Sequence, residues 1–172
     1  MGCDLTSIFG VNPGNPYEKL YITWKTPPEF IDLTLDLPDT VRRGENIPLK
    51  LTLQHNGEDP VMLGIGGYGP DELFYNFIIA TSDSLRVWAR VKYYYPYALE
   101  DILGLDTLLY KGDIMEFEHI WDQRDEKGKR VSPGKYLVFG VIHGWINSPD
   151  PAEHPEWAVG DFGTEGKRFV IE

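Results

Sequence analysis

Cysteine is almost missing from this chain of 172 residues: Cys3 is the only one, so no intramolecular disulfide can form, and a thiol nucleophile so near a chain end is not expected. No apolar run approaches the roughly 20 residues needed to cross a bilayer, so no transmembrane segment is expected. Basic residues are scarce, with 16 Lys and Arg against 27 Asp and Glu and a formal net charge of −11. A phosphate-binding face needs clustered Lys and Arg, so no nucleic acid partner is expected, and the acidic surface mainly favours solubility. There is no alternation of strands with helices, no internal repeat and no low-complexity tract. No G-x-S-x-G or other nucleophile motif appears either.

What the chain does have is punctuation and aromatic residues. Gly (18), Pro (13) and an aromatic share of 13% suit many short strands joined by tight turns. From Phe30 onward apolar residues fall on alternate positions. Ile31, Leu33, Leu35 and Leu37 form one such run, and Ile47, Leu49, Leu51 and Leu53 another after the turn at Arg43-Gly44-Glu45-Asn46. Asn56-Gly57 marks a turn before Val61, Leu63 and Ile65. Leu73 to Ala80 and Leu85 to Val91 read as a second hairpin, and Lys167 to Glu172 as a closing strand. Pro96 to Leu109 and His143 to Gly166 break the alternation and read as long insertions, the first with a short helix or ordered loop at Tyr97 to Leu103. Residues 1–28, rich in Gly and Pro, read as an N-terminal tether or leader, although Tyr21, Ile22 and Trp24 suit pairing with a sheet edge; residues 29–172 read as a single domain. The expected fold class is all-β, an antiparallel sandwich with long loop insertions.

The longest strong pattern runs from Ile114 to Val141. An alternating strand, Ile114 to Trp121, is followed by a polar turn and then by Lys135 to Val141, which together predict one long β-hairpin. In the turn, Gly128 suits a positive φ, Pro133-Gly134 suits the centre of a type II turn, and Asp122 and Asp125 suit capping of nearby backbone N–H groups. Tyr136 sits where immunoglobulin-like sandwiches place a tyrosine whose hydroxyl bonds to an upstream backbone group. Two residues on, antibody domains carry a cysteine and this chain carries Val138. Packing alone must then join the sheets.

Trp121-Asp122-Gln123-Arg124-Asp125 followed by Gly128-Lys129-Arg130-Val131-Ser132-Pro133-Gly134-Lys135-Tyr136 is similar to the signature of the BsuPI-type intracellular proteinase inhibitor family. The resemblance extends upstream through Asn56-Gly57-Glu58-Asp59-Pro60-Val61 and Val87-Trp88, covering about Phe30 to Val141. It implies an immunoglobulin-like domain and, functionally, an inhibitor of subtilisin-type serine proteases. The chain departs from the pattern in its longer Tyr93 to Gly112 connection and its His143 to Gly166 extension.

Nothing in the motifs calls for catalysis or a cofactor. Gly64-Ile65-Gly66-Gly67-Tyr68-Gly69 fits G-x-G-x-x-G, but Pro70 follows where a helix should open onto a pyrophosphate. His119, His143 and His154, with Glu153 or Asp161, lack the close spacing of zinc ligands, and Asp122, Asp125 and Glu126 lack the spaced ladder of a calcium loop. The expectation is no catalytic residue, no cofactor and no metal. Candidate partner contacts are Tyr93, Tyr94, Tyr95 and Tyr97, whose rings suit a protein interface, and Gln123 and Arg124 in the long turn. Trp145 and Trp157 are candidate anchors for a peptide or glycan.

The expected function is a non-enzymatic protein-recognition module resembling a proteinase inhibitor. The alternative is an adhesion or glycan-binding module of a membrane-tethered lipoprotein. Met1-Gly2-Cys3 leaves two readings open. Gly2-Cys3 as the end of a lipobox would make Cys3 the lipidated residue and place the protein outside the cytoplasm. An unmodified start would leave it cytoplasmic.

Overall fold

The computed structural model describes residues 18–20, 22, 24–65, 75–91, 105–147 and 161–172. Among them lie thirteen strands and no helix: β1 (Glu18–Lys19), β2 (Ile31–Asp36), β3 (Thr40–Val41), β4 (Ile47–His55), β5 (Val61–Ile65), β6 (Tyr75–Thr81), β7 (Leu85–Ala89), β8 (Leu105–Leu109), β9 (Ile114–Trp121), β10 (Gly134–Ile142), β11 (Gly144–Asn147), β12 (Phe162–Gly163) and β13 (Lys167–Ile171). They form one larger sheet in the order β1-β7-β6-β10-β13-β3, with β12 beside β10, and two three-stranded sheets, β2-β4-β9 and β11-β5-β8. All pairings are antiparallel except that of β3 with β13. The fold is an immunoglobulin-like sandwich in which β2-β4-β9 faces the larger sheet.

Period-two alternation makes that core. On β4, Ile47, Leu49, Leu51 and Leu53 are buried while Lys50, Thr52 and Gln54 lie half-exposed on the other side. Across the gap stand Phe77, Ile79, Val138 and Phe169. The sheets pack tightly at Gly140, where a Cβ would lie 2.5 Å from Leu51 Cδ1. Val138 is fully buried, so hydrophobic packing occupies the place where antibody domains have a cysteine. The tyrosine expectation holds as well: the Tyr136 hydroxyl donates to the Ser132 carbonyl at 2.5 Å.

The hairpin expected from Ile114 to Val141 is not one. β9 pairs with β4 and β10 pairs with β6, β12 and β13, so the two strands belong to different sheets. Residues 122–133 carry the chain across the sandwich. The arms of the turn still pair locally, with Val131 N–H donating to Gln123 O and Arg124 bridging Arg130, and Gln123 takes a left-handed φ of 60° just after β9. Gly128 has the expected positive φ of 77°, but Gly134 at 155° is not the residue of a type II turn and instead opens β10.

The hairpin of β6 and β7 is present, with a bulge at Ile79/Ala80. Two insertions contain unforeseen strands. β8 closes the stretch expected as loop up to Leu109, and β11 and β12 lie within the His143 to Gly166 extension. The Asn56-Gly57 turn does not join a hairpin either, because β4 and β5 pair with β9 and β8 respectively.

The described residues between 18 and 28 lie against the larger sheet. β1 pairs with β7, Leu20 N–H donates to Ser84 O, and Lys25 N–H donates to Asp161 O near β12, on the far side of β6 and β10. This strap covers the outer face of the larger sheet, where Leu20 and Trp24 pack on a second cluster of Ile78, Ala80, Ala89, Phe139 and Val141. Alternation along β10 creates both cores, since Val138 points inward and Phe139 outward.

Candidate recognition surfaces

The turn of residues 122–133 is tied to the loop of residues 42–45 and to β7, where Glu126 N–H donates to Val87 O and the Glu126 carboxylate meets Arg86 Nε at 3.0 Å. Gln123 is fully buried. Its Nε2 donates to the carbonyls of Arg42 (2.7 Å) and Glu45 (2.8 Å), and its Oε1 accepts from Gly44 N–H at 2.7 Å. The expected caps are both present. Asp122 Oδ1 accepts from Arg124 N–H, and Asp125 Oδ1 accepts from the N–H groups of Lys127 (3.0 Å) and Lys129 (2.8 Å). Trp121 Nε1–H donates to Arg124 O, and the Arg124 guanidinium donates to Gly128 O. Around this scaffold Arg124, Lys127 and Lys129 remain exposed.

The sequence candidates in this turn therefore separate. Arg124 stands at the surface as expected. Gln123 is corrected from a partner contact to a structural anchor: a side chain with no exposed area and three internal hydrogen bonds offers a partner nothing to touch.

A second surface was not anticipated. An open groove of about 660 Å³ lies between the edge of β2, the strap and the segment joining β12 to β13. Its apolar lining includes Leu33, Leu35, Trp24 and Phe139, and its charged lining is Lys25, Lys167 and exposed Glu165. Trp24 and Phe139 meet edge to face with centroids 5.5 Å apart. A Cβ on Gly163 would sit 2.6 Å from Trp24 Cδ1, so only glycine lets the strap lie this close to β12. The volume is within the range of about 300–1,000 Å³ usual for ligand sites.

Two histidine sites add to the described polar chemistry. Buried His143 places Nδ1 3.0 Å from Asp161 Oδ2, while Asp161 Oδ1 accepts from Gly144 N–H, tying β11 to the start of β12. Among the described residues no three metal-ligating groups converge. His119 stacks on Trp88 with centroids 5.2 Å apart. Burial, and secondarily the charge of Arg90, hold its pKa below the ordinary imidazole value, with Asp122 opposing them. No helix among the described residues is long and apolar enough to cross a membrane.

The remaining candidates fall elsewhere. Tyr93, Tyr94, Tyr95, Tyr97, Trp157 and Cys3 lie outside the described residues. Trp145 belongs to β11, where its backbone pairs with Gly64, and its side chain is outside the description.

The strand order and the two surfaces define the class: an immunoglobulin-like sandwich with a pinned, cation-bearing turn and a strap-walled groove along one edge. No protein-family model matches the chain, and no curated protein matches it in sequence. Solved structures similar to it include an alkylpurine DNA glycosylase of Pseudomonas fluorescens bound to DNA (15% identity, TM-score 0.38, 83% of this chain) and the sporulation control protein Spo0M of Bacillus subtilis (11% identity, TM-score 0.40, 83% of this chain). The chain spans 30% and 48% of the length of these two. A CARDB domain of Pyrococcus furiosus in complex with two metal ions is similar at 12% identity and a TM-score of 0.35, over 85% of this chain and 97% of that one. Overlaps this loose carry no argument about what the chain binds or does.

Proposed function

We propose that this chain is a non-enzymatic protein-recognition module acting in the manner of a proteinase inhibitor, with the turn of residues 122–133 as its contact surface. The supporting observation is that the turn has exposed residues and is yet held in one shape, by buried Gln123 bonding to the loop of residues 42–45 and by the Asp125 carboxylate within the turn. A loop already held in its bound shape loses little freedom on association, which lowers the cost of binding. Exposed Lys127 and Lys129 give it two cations on an acidic protein, Arg124 being ion-paired with Asp122, and suit a partner surface that carries carboxylates. Because Asp125 folds the backbone onto itself, the turn would block a cleft rather than thread it as a substrate strand does. A subtilisin-type serine protease is the partner class that the sequence resemblance implies.

The test is titration of purified chain into subtilisin-type proteases at fixed substrate. Stoichiometric loss of activity is expected, with at least a tenfold weaker effect for the double variant Lys127→Glu/Lys129→Glu. Undiminished protease activity at a large excess of the wild-type chain refutes the inhibitor reading.

A further inference from the structure

The groove beside β2 ends in a strand edge, and the hydrogen-bond register says what that edge requires. Asn56 N–H donates to Phe30 O, and His55 exchanges bonds with the Gly112-Asp113 segment on the β9 side. Residues of β2 paired with Gln54, Thr52 and Lys50 therefore bond to β4, whereas those opposite His55, Leu53 and Leu51 turn their backbone groups the other way. Two contacts agree with this phase: Ile31 N–H donates to Pro28 O, and Leu35 O accepts from Lys167 Nζ at 3.2 Å. Left between them are the C=O of Ile31, the N–H and C=O of Leu33 and the N–H of Leu35, and Leu33 and Leu35 line the groove.

The groove itself is the place of a missing strand. β3 pairs in parallel with β13, Thr40 opposite Val170. Continued upstream, that register would set Leu35 beside Glu165 and Leu33 beside Gly163. The chain instead leaves the line of β13 there, and Gly163 pairs with Val141 of β10. Among the described residues β2 is left with an open edge, beside an apolar lining of Trp24 and Phe139 and the exposed charges of Lys25 and Glu165.

We infer that this groove binds an extended peptide segment of a partner protein, which adds a strand to the free edge of β2. The backbone of the segment exchanges hydrogen bonds with Leu33 and Leu35. Alternate apolar side chains rest on Trp24 and Phe139, and an acidic side chain meets Lys25. Main-chain bonds supply affinity in such strand addition, and pockets for alternate side chains supply selectivity. This site is separate from the turn of residues 122–133 and does not depend on the role assigned to that turn.

The test uses the full chain and a phage-displayed library of random dodecapeptides, selected on wild type and counter-selected on Leu33→Pro. Proline at position 33 removes the edge N–H while taking no bond from the β2–β4 ladder, the one setting in which a strand tolerates it. The selected peptides should show alternating apolar residues and an acidic one. A synthetic copy should slow amide exchange at Leu33 and Leu35 at least tenfold. Its affinity should fall at least tenfold on Leu33→Pro, or when alternate peptide nitrogens are methylated, but only a few-fold on Leu33→Ala. If Leu33→Pro does not fold, the methylated peptide decides alone. A methylated peptide that binds as tightly as its parent overturns the inference, as does failure to select any peptide that shifts the Trp24 indole resonance. Protection of the Leu33 and Leu35 amides in the free protein overturns it too, assigning the edge to residues 1–17 if independent of concentration and to a second copy if not.

Discussion

Replacing Gln123 by leucine separates a scaffold from a contact residue. The side chain keeps a similar volume, but the amide that joins the crossing turn to the loop of residues 42–45 is lost. Three hydrogen bonds of 2.7 to 2.8 Å disappear, two donated to carbonyls and one accepted from an N–H. At about 1 kcal/mol net for each bond, the loss is about 3 kcal/mol, and more if the Gly44 N–H stays shut away from water. That is a large part of the ~5–15 kcal/mol that holds a typical domain folded. Urea unfolding reads it directly, as a lower midpoint at unchanged m. Native-state amide exchange adds a local readout, since the Gly44 N–H should lose protection before the β4 core does. A destabilisation below about 0.5 kcal/mol, or unchanged Gly44 exchange, would refute the reasoning, because a surface substitution has an effect of that size. Gln123→Glu should be worse at neutral pH, where a carboxylate would face the carbonyls of Arg42 and Glu45, and should recover partly in acid.

Gly140→Ala pushes a methyl group into Leu51 and should destabilise by about 1–3 kcal/mol in the same urea assay, with partial rescue by Leu51→Val. Tyr136→Phe deletes the hydroxyl bond to Ser132 O while keeping the ring beside Phe169, at a loss of about 1 kcal/mol in thermal or urea unfolding. For His119 the folded-state pKa lies below the unfolded value of about 6.5, so the unfolded chain takes up its proton first as pH falls. Stability should therefore be full above that pH and decline as pH drops through about 6.5 toward the lowered native value. An unfolding series from pH 8 to 5 checks this, and a slope identical in His119→Gln would remove His119 as its cause.

How much of this was legible in the sequence depends on how local each signal is. Alternation at Ile47 to Leu53 revealed a strand buried on one face because a strand's period of two is written in consecutive residues. The tyrosine at 136 and the caps by Asp122 and Asp125 were legible for the same reason, each partner lying within four residues. Pairing partners were not. β9 and β10 alternate in the same way whether they pair with each other or lie in opposite sheets, so alternation alone does not decide the matter. The groove was hidden for a stronger reason. Trp24, Leu33, Phe139 and Lys167 come from segments far apart in the chain, and the open edge exists only because the chain leaves the line of β13 at Gly166. Trp24 did carry a hint, as an aromatic in a Gly- and Pro-rich stretch suited to pairing with a sheet edge.

The strap also settles how the molecule would answer a mechanical load. A pull on the chain ahead of Glu18 reaches the two-residue ladder with β7 first, and then the Trp24 ring seated on Phe139, well before any stress enters the sandwich. Those attachments would peel one after another and release slack at low force. The strap is thus a fuse in series with the domain, and its opening would strip one wall from the groove while β2, β4 and β9 stay paired.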